Sequence, residues 1–163
     1  MQPRAIPVER DGFIGDVNSG GGCNVSVANV DIHCTGTHTE CVGHIVNDDV
    51  YINDILPDTL VPASLVSIET IKKNSSSDQI IPMDKLESEL LSLDDEFKSA
   101  LVIRTLPNSE TKLSASYDAD NLPAYLEKGT MELIIEHGVD HLLVDLPSID
   151  RAYDEGRLDC HHL

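Results

Sequence analysis

The chain has 163 residues, 40% of them hydrophobic, which suffices for one globular domain with a core, and a single domain over 1–163 is expected. A net charge of −18 without any cluster of Lys and Arg argues against nucleic acid as a partner, and the acid is spread along the chain as a solvated surface. No run approaches the roughly 20 apolar residues of a spanning helix, and Met1-Gln-Pro-Arg-Ala5 opens no signal-peptide core, so the expectation is a cytoplasmic protein with no membrane partner.

In chain order, the flexible Ser19-Gly-Gly-Gly22 run precedes residues 23–32, rich in β-branched side chains, which predicts a loop and then a strand. Residues 61–71 predict a second strand after turn signals at Pro57-Asp58, and residues 73–78 an exposed loop without function. Asp84 is placed as the cap of a helix reaching about Asp95, with Glu87 at the capping-box position and Leu86, Leu90 and Leu93 on one face. Ala100–Leu106 is a near-continuous apolar run, the pattern of a strand covered on both faces. Asn121-Leu-Pro-Ala124 opens a helix that Gly138 stops, with Leu126, Met131, Leu133 and Ile134 as its apolar positions, and residues 141–146 predict another buried strand. Strand, helix and strand from 100 to 146 make a βαβ unit, so the fold class is α/β with part of the sheet parallel.

Two polar clusters fall at carboxyl ends of predicted strands, where catalytic groups of α/β folds gather. The first, Cys34-Thr-Gly-Thr-His-Thr-Glu-Cys-Val-Gly-His44, puts two cysteines, two histidines and a glutamate around a glycine turn. The second runs from Asp145-Leu-Pro-Ser-Ile-Asp-Arg151 to Cys160-His-His162. With His33 they hold five of the seven histidines. The first cluster by itself leaves open a metal site, a cysteine nucleophile with His44 as its base, and a polar loop with ordinary hydrogen bonds. The four cysteines, Cys23, Cys34, Cys41 and Cys160, read as free thiols or metal thiolates of a reducing compartment, and no feature marks Cys34 or Cys41 as an activated nucleophile. His137 and His141 flank the predicted helix end, where a cation suits the macrodipole, and are read as structural.

Gly36-Thr-His-Thr-Glu40 followed by His44 resembles the His-x-Gly-Thr-His-x-Asp-x-x-x-His signature of the cyclase family of metal-dependent hydrolases, which includes bacterial kynurenine formamidase and isatin hydrolase. The stretches VDLPSIDR from Val144 and RLDCHHL from Arg157 resemble that family's second block, and their order agrees. The resemblance implies a swivelling β/β/α fold with a mixed sheet, and one or two divalent metals that activate water against an amide or lactam C–N bond of a small-molecule substrate. It implies His38 and His161 as metal ligands, Glu40 in place of the ligating aspartate, and His44 as the catalytic proton carrier. A homo-oligomer, dimer or tetramer, is implied by the resemblance alone.

The sequence departs from that pattern in three places. The first ligand position holds Cys34, with His33 displaced by one. Neighbours on an extended segment point to opposite faces, so only one aims inward, and Cys34 is chosen. Its thiolate would favour zinc over manganese. Glu40 is one methylene longer than aspartate, which makes a single metal plausible. The family's amino-terminal strand is hard to find before Gly20, and its further carboxylate ligand would lie beyond Leu163, so the expectation is a domain shortened at both ends. These departures keep a second hypothesis alive, a non-catalytic relative that retains the fold and a metal as a binding or assembly module. With four Tyr, two Phe and no Trp, the chain has few residues for an aromatic-walled pocket. Asp145, Ser148 and Asp150 are read either as supports that orient a ligand or as a turn with its cap.

Overall fold

A computed structural model describes residues 3–56, 58–74 and 76–163. Pro57 of the expected turn and Ser75 of the expected 73–78 loop lie outside the described residues. The chain divides into two units, the first running to Cys41 and the second Val42–Leu163.

In the first unit, β1 (Arg4–Pro7) precedes a tight hairpin of β2 (Glu9–Arg10) and β3 (Phe13–Ile14) that turns over Asp11 and Gly12. The Asp16 carboxylate accepts from Asn18 N at 3.0 Å and Ser19 Oγ at 2.6 Å, capping a single turn, Val17–Ser19. β4 (Ser26–Asn29) then pairs antiparallel with β1, Ile6 opposite Val27. Three short strands thus precede Gly20, where the sequence showed none. The expected strand 23–32 contracts to four residues because Val25 instead bridges two loops, donating to Gly15 O at 3.0 Å and accepting from Val8 N at 2.8 Å.

The second unit opens with one helical turn, α1 (Ile52–Ile55), and then β5 (Ala63–Glu69). A two-stranded antiparallel ribbon follows, β6 (Ile71–Lys72) with β7 (Gln79–Ile80). After α2 (Met83–Leu91) come β8 (Ala100–Leu106), α3 (Lys128–Glu136) and β9 (His141–Val144). β8 lies between β5 and β9, parallel to both, so α2 and α3 are the crossovers of two successive parallel connections. Parallel and antiparallel sheets together make the fold mixed α/β. Val66, Ile68, Leu101 and Ile103 meet Leu86 and Leu90 of α2 and Leu133 and Ile134 of α3 in one core. The expectation that β8 is covered on both faces holds for one: Leu101 and Ile103 are fully buried, while Arg104 is exposed.

Three helix boundaries differ from those expected. Pro82, not Asp84, precedes α2, and Asp84 sits in its first turn, where a carboxylate suits the positive helix end. That helix ends at Leu91 because the Ser92 hydroxyl turns back to Glu89 O at 2.7 Å. The helix expected from Asn121 begins at Lys128, because Tyr125 is held extended between Gln79 O, to which its N–H donates at 3.2 Å, and Ile81 N, from which it accepts at 3.1 Å. Its stop is as expected: Gly138 has φ +75°, which a side chain disfavours. Among the described residues no helix is long and apolar enough to cross a membrane.

Candidate metal centre

The loop from Asp31 to His44 leaves the extended state at once, since Cys34 N donates to Asp31 O at 3.2 Å. Gly36 follows with φ +145°, open to glycine and strained for any side chain, and its carbonyl accepts from His38 Nδ1 at 2.8 Å. That bond places the His38 proton on Nδ1, and a neutral ring then carries its lone pair on Nε2. Nε2 lies 3.5 Å from Glu40 Oε2, and His33 Nδ1 lies 3.3 Å from the same oxygen. The two rings meet edge to face, centroids 5.3 Å apart. A lone pair and a carboxylate oxygen repel unless a cation lies with them, so this arrangement calls for a proton or a metal ion.

The single turn Val42–His44 continues this loop and carries His44. One ligand atom each from His33, Glu40 and His44 lies within 4.8 Å of the others, close enough for one ion to bind all three. Imidazole nitrogen and carboxylate oxygen suit zinc and manganese alike. In the same loop the Thr35 hydroxyl is buried with no hydrogen-bond partner among the described residues. The Cys34 thiol is exposed and stands outside that grouping.

The second cluster hangs on Asp150, which is 4% exposed. Its Oδ1 accepts from Cys160 N at 2.8 Å, and its Oδ2 from His161 N at 3.2 Å and from His161 Nδ1 at 2.5 Å. Ser148 Oγ in turn accepts from Asp150 N at 3.1 Å. Burial would push the Asp150 carboxyl up, but the bonds from His161 and the Cys160 backbone outweigh it and hold it below the usual carboxylate range. The His161 and His44 rings lie 6.4 Å apart, while His162 is exposed. Cys160 is inert: burial pushes its thiol up to about 12, and its Sγ donates to Leu126 O at 3.3 Å.

Asp145 serves the strand ends instead. It accepts from Thr105 N and Thr105 Oγ1 at 3.1 Å and pairs with Lys112 Nζ at 2.6 Å. Beside this pair, at the carboxyl end of β8, lies a cavity of about 300 Å³ lined in part by Tyr117. His137 Nδ1 bonds Leu133 O at 2.9 Å at the end of α3, in keeping with a structural role.

One group has no counterpart in the sequence reading. Asp78, the last residue of the supposedly silent 73–78 loop, is 6% exposed and receives the Arg151 guanidinium, Nε at 2.8 Å and Nη2 at 3.3 Å. The Tyr125 hydroxyl adds a bond at 3.4 Å. Arg151, the residue next to Asp150, is thereby anchored to a buried carboxylate. No local signal could have revealed a pair 73 residues apart.

The family model described as Putative cyclase matches residues 8–151 of the chain. No curated protein and no solved structure matches it.

Proposed function

The chain belongs to the cyclase family, and from that membership and the geometry of its histidine loop we propose that it is a metal-dependent hydrolase of an amide or lactam C–N bond in a small molecule. The observation that carries this reading is the grouping of His33, Glu40 and His44, whose ligand atoms lie within 4.8 Å of one another, so that an ion held by His33 and Glu40 would have the His44 ring beside it. A bound divalent ion, zinc or manganese, would supply a Lewis acid that lowers the pKa of water towards neutrality.

The chain's own residues divide the remaining work. Glu40 provides the negative charge against which His33 and His38 are set, and the Gly36 carbonyl, by accepting from His38 Nδ1, leaves the lone pair on Nε2. At the first ligand position, where spacing pointed to Cys34, we assign His33, because its Nδ1 is the atom beside Glu40. His161 is the distal ligand of the proposal, on the strength of the resemblance. His44 moves a proton to the leaving nitrogen, a role the resemblance implies. The swivelling β/β/α arrangement, a homo-oligomeric state and a cytoplasmic location belong to the same proposal.

The test is a screen of amide and lactam substrates with zinc- or manganese-loaded protein, alongside His44→Ala. Hydrolysis by the wild type, with metal content kept and turnover lost in His44→Ala, is expected. Metal bound at wild-type level with no hydrolysis of any C–N substrate would instead make the chain a non-catalytic metal-binding relative, and metal lost from His44→Ala would make His44 a ligand.

A further inference from the structure

The second cluster holds more order than a ligand loop requires. Asp150 is nearly inaccessible, it is anchored from one side by Ser148 Oγ, and its chain neighbour Arg151 is fixed to buried Asp78. Both its oxygens are spent on two consecutive residues, Cys160 and His161, through two backbone N–H groups and one ring nitrogen. A carboxylate that accepts from a ring nitrogen decides which nitrogen carries the proton. The two backbone bonds fix the chain at His161 as well, so the ring can neither rotate away nor exchange its nitrogens without breaking the clamp.

We infer that Asp150 is a positioning residue that holds the His161 proton on Nδ1 and leaves the lone pair on Nε2, so that this histidine is set as a ligand before any metal arrives. The consequence for affinity rests on the proposed metal-dependent reading; the consequence for the ring does not. A histidine free to choose its tautomer would meet a metal with the wrong nitrogen part of the time and lose affinity accordingly. Supporting carboxylates of this kind are worth roughly 10- to 100-fold in metal affinity.

The experiment is nitrogen-15 NMR of the imidazoles in the metal-free protein, wild type and Asp150→Asn, followed by zinc titration of both against a competing chelator. The neutral His161 ring is expected as the Nδ1–H tautomer in the wild type and as a mixture in Asp150→Asn. Zinc affinity is expected to fall about 10- to 100-fold in the variant, with its melting curve still cooperative. Should the variant fail to fold, the wild-type spectrum decides alone. An Nε2–H tautomer in the wild type would overturn the assignment, and so would a folded variant that binds zinc within twofold of the wild type. Should wild-type protein bind no zinc, the hydrolase reading fails, and the tautomer still tests Asp150.

Discussion

Around His161 the chain is pinned to one carboxylate that is 4% exposed, with two backbone bonds and a ring bond converging on it. The loop from His33 to His44 is built the other way: His33, His38, Glu40 and His44 are all exposed, and the His33 and His38 rings are set against one oxygen of Glu40. The first arrangement is fixed by folding, since breaking it leaves a buried charge. The second sets two imidazole rings against one carboxylate oxygen, an arrangement that a proton or a metal ion completes. Substitutions in the two regions should therefore separate stability from metal binding.

The largest effect is expected where the fixed region is broken. Arg151→Ala leaves Asp78 buried without its cation and should cost about 3 kcal/mol of unfolding free energy, read by urea denaturation of the metal-free protein. In the loop the pattern should invert. Glu40→Ala is expected to weaken zinc binding at least about 100-fold, while metal-free stability stays within about 0.5 kcal/mol of the wild type. Loss of stability in Glu40→Ala comparable to that in Arg151→Ala would erase the contrast. Gly36→Ala probes the loop more gently. Its added methyl meets nothing within 4 Å, so the cost of about 1 kcal/mol comes from backbone strain alone, and it should appear as several-fold weaker zinc binding.

Acid should act on the fixed region and sharpen the same contrast. Asp78 is held below the usual carboxylate range by Arg151, and Asp150 by its hydrogen bonds despite burial. Carboxyls with lowered folded-state pKa values contribute stability that is full above their unfolded values, about 3.9, and is lost as pH falls through the folded ones. Unfolding free energy of the metal-free protein should thus be level above about pH 5 and decline below about pH 4. Arg151→Ala should flatten part of that decline.

What could be read from the sequence follows the range of the interactions. Ala100–Leu106 was legible because a continuous apolar run of that length has few alternatives to a central strand, and the histidine loop was legible because its donors are chain neighbours. The start of α3 was not, since Tyr125 is drawn into a bridge with Ile80, a partner 45 positions away in the chain. Asp78 hid in a polar loop for the same reason. The choice between His33 and Cys34 rested on alternation along an extended chain, and the segment turns at Asp31 to Cys34, so alternation does not apply there. Asp150 stood among three candidates that composition could not separate, and its buried bonds to Cys160 and His161 distinguish it from Asp145.

The central claim is that the histidine loop is a metal site, and elemental analysis of dialysed protein tests it most directly. Zinc or manganese at close to one atom per chain in the wild type, and its loss from His38→Ala, is the predicted result. Equal metal content in the two proteins, or none in the wild type after zinc is offered, would contradict it.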